Sequence, residues 1–158
     1  MDIEELQRRI RDFADKDCGA GATPEQVAEA ERQLRVTFPP TYRGFLREFG
    51  WARFSHQELY GLGRDVPRHL DLLRNTLSER DGMRPALPPS LVPIMSDGAG
   101  NHYCLATSEV SGGACPVVIW NHELGEDQQP QVASPTFETW LVDLLDRLGA
   151  ATWRADQD

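Results

Sequence analysis

The chain has 158 residues, 40% hydrophobic and 26% charged, a balance that suits one globular domain able to bury a core without disulfide or metal staples. Its 25 acidic against 16 basic side chains give a formal net charge of −9. That sign opposes direct binding to DNA or RNA through phosphates; it favours steering towards a basic partner, or simply solubility.

Asp2 is placed to cap a first helix over residues 2–14, with Ile3, Leu6, Ile10 and Phe13 on one stripe. Cys18 to Ala22 reads as a flexible joint. Thr23, Pro24 and Gln26 then spell a capping box with proline at the first helical position, and Val27, Ala30 and Leu34 fall on one face of a helix over 24–35. Pro39-Pro40 ends that helix and starts another over 40–49. Its stripe is Tyr42, Phe45, Leu46 and Phe49, and Gly50 stands where a left-handed cap belongs. Strand character is expected over 53–60, with Gly61 freeing the backbone to turn. Leu70, Leu73 and Leu77 predict a helix over 65–81.

Pro85, Pro88 and Pro89 make an extended loop, because each proline restricts the residue before it. Leu91–Met95 and His102–Ala106 flank the turn Asp97-Gly98-Ala99-Gly100 and predict a hairpin. Val117–Trp120 reads as a buried strand and Gln131–Ala133 as a short one. Ser134-Pro135 opens a last helix with Phe137, Leu141, Leu144, Leu145 and Leu148 inward, and Thr152–Asp158 is expected to fray. This order predicts an α+β fold: a single domain, residues 1–158, with helices packed on an antiparallel or mixed central sheet.

Chemistry-bearing constellations are sparse. His102, Cys104, Cys115 and His122 are the residue types of a zinc site, but their irregular spacing and the apolar strand around Cys104 favour packing. Asp97 to Asn101 lacks both the Gly-Lys-Ser/Thr ending of a phosphate loop and the alternating oxygens of a calcium loop, so it reads as a turn. Ser55 and His56 are adjacent and would point apart on a strand, and the acidic pairs Glu4-Glu5, Glu25/Glu29 and Asp143/Asp146 lie on solvated helix faces. The reading is therefore no catalytic residue, no metal, no cofactor and no enzyme. Trp51 and Trp120 read equally as core or as interface anchors. Three cysteines without framework spacing and an N-terminus lacking the signal-peptide order predict a mature cytoplasmic chain; no apolar run approaches membrane-spanning length.

Three stretches in order resemble the SUKH superfamily, which includes the yeast cell-wall-assembly regulators and many bacterial immunity proteins. The first holds Glu29, Leu34, Pro39-Pro40, Tyr42, Phe45, Leu46, Gly50, Tyr60 and Gly61. The second is the hairpin from Val92 to Leu105, and the third Val117 to Glu123 followed by Phe137, Trp140 and Leu141. The resemblance covers about residues 20–148; Asn101, where an acidic residue is common, and Trp51, where a second glycine is common, depart from it. It implies an immunity protein that blocks a cognate toxin, often a nuclease with a basic surface, by stoichiometric binding. The alternative is a non-catalytic regulatory module like the fungal regulators. The residues expected to meet the partner are Glu58, Tyr60, Asp97, Trp120, Glu123, Glu126 and Asp127.

Overall fold

The computed structural model describes residues 1–157, with side chains through residue 151. The expected fraying of Thr152–Asp158 lies outside the fully described residues. Local chemistry starts the helices. The Asp2 carboxylate accepts the Glu5 N–H at 2.8 Å at the head of α1 (Ile3–Asp12). Thr23 and Gln26 exchange side chain-to-backbone bonds of 3.1 and 2.9 Å at the start of α2 (Pro24–Leu34). Pro40 opens α3 (Pro40–Glu48), and Gly50 follows with φ +78°. A short α4 (Leu72–Leu77) and the closing α5 (Phe137–Gln157) complete the helices.

Seven strands form one sheet in chain order, every neighbour antiparallel. They are β1 (Lys16–Cys18), β2 (Ala52–Phe54), β3 (Gln57–Leu59), β4 (Leu91–Ser96), β5 (His102–Ala106), β6 (Val117–Trp120) and β7 (Gln131–Ser134). Strand alternation splits the sheet into two faces. Leu105 and Val117 join the helical core, where Tyr42 packs edge-on to Phe38 at 5.2 Å and to Phe137 at 5.0 Å. Cys104, Ala106, Val118 and Trp120 face the other way and form a second cluster with Leu87 and Leu91. The segment before β4 covers that face. Arg80 anchors the cover, donating to the Leu34 carbonyl at 2.9 Å and the Pro89 carbonyl at 2.6 Å.

The structure corrects three local expectations. Lys16–Cys18 is a strand, and the stretch after it is no flexible joint: the Gly19, Ala20 and Ala22 N–H groups donate to the Trp51 carbonyl, Asp65 and the Leu46 carbonyl. The strand expected over 53–60 is a tight hairpin of β2 and β3, turning at Ser55 with φ 53°. The single helix expected over 65–81 is three pieces: a 3₁₀ turn at Arg68–Leu70, α4, and a π-helical turn at Ser78–Gly82. The break falls where Asp71 caps α4 by accepting the Arg74 N–H at 3.1 Å, because a residue in extended conformation cannot continue the preceding turn.

Register decides what meets what. The closing pairs Phe54↔Gln57, Ser96↔His102 and Ile119↔Gln131 put three connections at one end of the sheet. These are the turn at Ser55-His56, the loop 97–101 and the loop 121–130.

Candidate functional site

Three of the seven expected partner residues, from two segments far apart in sequence, share one cleft. Glu58, Tyr60 and Asp97 line a cavity of about 320 Å³ together with His56, His69 and Ser96. The pairing Leu59↔Met95 brings them together, since it sets β3 beside the end of β4. Glu58 is exposed and accepts from His69 Nε2 at 2.9 Å. Tyr60 is buried, with its ring 6.1 Å from that of His102. Burial first, and then repulsion from Glu79 and Cys104, pushes the Tyr60 phenol up to about 12 against the pull of its hydrogen bond with Ser96. It therefore stays a neutral donor at physiological pH.

Asp97 organises the next loop. Its Oδ1 accepts the Ala99 N–H at 2.8 Å and the Asn101 N–H at 3.0 Å. Desolvation alone would raise its pKa, but these bonds, the Asn101 side chain and the charge at His102 together hold it below the ordinary 3.8. A lowered carboxylate stabilises the loop above that ordinary value, and the contribution disappears as pH falls through the depressed one. The Ala99 and Asn101 amide resonances are expected to move together with a midpoint below pH 3.8. Asp97→Asn, which keeps an acceptor but does not titrate, is expected to remove that step.

Asn101 joins the cleft to the acidic loop. Its carbonyl oxygen accepts the His122 backbone N–H at 3.2 Å and faces His122 Nδ1 at 2.8 Å. A backbone N–H can only donate, so the shared atom is oxygen and His122 carries its proton on Nδ1. Here an amide does what a carboxylate would do without adding charge. Gly100 permits the approach, since a Cβ there would lie 2.7 Å from the His122 ring.

Gln128 closes the 121–128 loop by donating to the Asn121 carbonyl at 2.7 Å and the Gly125 carbonyl at 2.8 Å. Glu123 and Asp127 are exposed on it, Glu123 lying 3.9 Å from His122 Nε2, whereas Glu126 accepts the Ala86 N–H at 3.2 Å and pins the loop to the proline-rich cover. Glu126 thus has a structural role in addition to its exposure. Leu124, 63% exposed between these acids, adds an apolar contact that sequence reading passed over. His69 was also missed, because it lay inside a segment read as continuous helix.

Trp120 is the correction among the expected partner residues. It is 1% exposed and packs in the second cluster, because its register on β6 points it beneath the cover and away from solvent. Trp51 is likewise core, with its indole N–H donating to Asp65 Oδ1 at 3.2 Å. Trp120→Ala is expected to lose about 3–5 kcal/mol of stability by denaturant titration, the usual range for emptying an aromatic core site.

The four residues of zinc-ligand type are dispersed. His102 pairs with Glu79 at 3.1 Å, Cys104 and Cys115 lie in opposite clusters, and His122 is on the exposed loop. Burial raises both thiols, Cys115 to about 11, so neither is a ready thiolate. Among the described residues, no helix is long and apolar enough to cross a membrane.

A meander sheet with helices on one face and a strapped second face make this an α+β domain. The chain belongs to the SUKH_5 family, described as SMI1-KNR4 cell-wall, whose model matches residues 2–146. It is 21% identical, over 92% of its length and 88% of the relative's, to the SPbeta prophage-derived uncharacterized protein YokK of Bacillus subtilis (strain 168). A crystal structure of a protein from Pseudomonas syringae pv. tomato shares the fold, with a TM-score of 0.58 at 20% identity over 79% of this chain and 87% of that one.

Proposed function

We propose that this protein is an immunity protein that neutralises a cognate bacterial toxin by stoichiometric binding in the cytoplasm, without turnover. The observation that carries the reading is the acidic end of the sheet. Glu58 on β3 and Asp97, Glu123 and Asp127 on neighbouring connections stand at that end, beside a cleft floored by the neutral Tyr60 phenol. A toxin that grips phosphates carries a basic active surface, so clustered carboxylates speed encounter with it. Leu124 and the cleft then supply contacts that are desolvated on docking and slow departure. Family membership and the prophage origin of a relative fit such a role.

Co-expression with the toxin encoded beside the gene tests the proposal. The expected result is rescue of growth and a one-to-one complex on gel filtration. Unchanged toxicity with no complex would sink it.

A further inference from the structure

The two edges of the sheet are built differently. β1 is three residues long, carries Lys16 and Asp17, and is tied to α1 by Lys16 Nζ donating to the Arg11 and Phe13 carbonyls at 2.7 and 2.8 Å. Charges and short length are the usual guards against unwanted strand pairing. β7, at the opposite edge, is also short, four residues between Pro130 and Pro135, and its pairing with β6 shifts register at Val117/Val118, but Gln131-Val132-Ala133-Ser134 carries no charge. Gln131, Val132 and Ala133 are all exposed, so neither face alongside the strand is closed off, and Val132 is 58% exposed.

Each face beside this edge holds a groove. On the helical side, about 520 Å³ lies between β7 and α5. Its lining includes Trp140 and Ser134, both buried, and neither Trp140 Nε1 nor Ser134 Oγ has a hydrogen-bond partner. Asp143, Asp146 and Arg147 also line that wall, and Asp146 is already paired with Arg9. On the other face, about 330 Å³ is lined in part by Leu91, Ala106, Val118 and Pro130.

We infer that β7 is an open strand-acceptor edge that pairs with an extended segment of a basic partner protein, one alternating aliphatic residues with glutamine and arginine. Successive side chains of such a strand point to opposite faces, so one set lies against the groove beside Val132 and Glu109 and the other against the groove beside Gln131 and Asp143. Charge decides against a second copy as occupant, because two chains of −9 repel. The acidic 121–130 loop runs directly into β7, so the same partner that meets that loop continues along the edge. The inference rests on the proposed toxin reading only for the partner's identity.

The test uses the full chain, isotopically labelled, and the peptide Arg-Val-Gln-Val-Arg-Val-Gln-Val-Arg. Binding is expected to slow amide exchange over residues 131–134 by about tenfold and to shift the Trp140 indole N–H signal. Replacing the central arginine by proline, or all arginines by glutamate, is expected to abolish both effects. Val132→Glu is expected to weaken peptide binding at least about tenfold with unchanged thermal stability, since the residue is exposed. Three results would overturn strand addition: no binding, changes confined to residues 97–101 and 121–128, or equal binding of the proline peptide. Concentration-dependent self-association that protects β7 without peptide would assign the edge to a second copy and overturn it too. Toxin rescue that persists in Val132→Glu while the peptide leaves β7 unmoved removes this inference and keeps the immunity reading. Peptide pairing at β7 without rescue of any neighbouring toxin does the reverse.

Discussion

Replacing Gly61 with alanine is expected to cost about 4 kcal/mol or more, a large part of the 5–15 kcal/mol that typically holds a domain together. The residue sits where β3 leaves the sheet. Its N–H donates to the Leu70 carbonyl at 2.9 Å and its carbonyl accepts the Leu72 N–H at 2.8 Å. The next residue, Leu62, donates to the Gly50 carbonyl at 2.9 Å, so the backbone here lies flat against Gly50 and Trp51. A Cβ on Gly61 would fall on the Gly50 carbonyl oxygen, 2.7 Å from its carbon and 2.8 Å from Trp51 Cα. All three atoms are backbone, so no side-chain rotation relieves the clash. Moving the strands apart would break the hydrogen bonds that join α3's end to the entry of α4. Thermal unfolding is expected to drop by roughly 10–15 °C, or the protein to be insoluble. Gly112→Ala is the control: its φ is +60°, but a Cβ there meets nothing within 4 Å. Its cost is expected near 1 kcal/mol. Equal losses for the two variants would show that backbone crowding at Gly61 is not the cause.

The same glycine shows what the sequence made legible. Tyr60-Gly61 stood out as a motif, and its value as a turn was readable, but the reason only glycine fits lies eleven residues upstream at Gly50. The starts of α2 and α3 were local and were read correctly, Thr23 with Gln26, Pro40 and the Tyr42–Phe45–Leu46 face, whereas the cap expected at Ser134 is Thr136, which accepts the Thr139 N–H at 3.1 Å, because Ser134 ends β7. β1 was missed because Lys16-Asp17-Cys18 has no apolar alternation of its own; only its register with β2 makes it a strand. Trp120 stayed ambiguous because its burial depends on a cover over the second face. That cover is the proline-rich stretch, which reads as loop and yet contributes Leu87 to a core cluster. The site was legible in its residues but not in its assembly. Glu58 and Asp97 were named separately, and only the Leu59↔Met95 pairing makes them neighbours. His69 had a usable signal in Asp71, a capping residue inside the supposed helix, which marks a break just after it.

Reversing three exposed acids together, Glu58→Lys, Glu123→Lys and Asp127→Lys, is expected to slow association with a basic toxin about 100-fold at low salt. Asp97 and Glu126 are left intact because their carboxylates hold loops through the backbone of Ala99, Asn101 and Ala86. The three chosen side chains are exposed, and their ion pairs, Glu58 with His69 at 2.9 Å and Glu123 with His122 at 3.9 Å, are exposed as well. Folding stability is therefore expected to stay within about 1 kcal/mol of the parent. Exposed charges act mainly through the long-range field, so dissociation is expected to change by less than about threefold. Screening provides the internal check. The Debye length falls from about 10 Å at 0.1 M salt to about 3 Å at 1 M, so the rate difference between parent and variant should collapse as salt rises. Stopped-flow mixing across a salt series measures this directly. Val132→Glu, by contrast, is expected to act mostly on dissociation, because a lost strand pairing shortens the life of the complex and leaves encounter nearly unchanged. Association unaffected by the triple reversal at low salt would mean that the acidic end is not where the toxin first arrives.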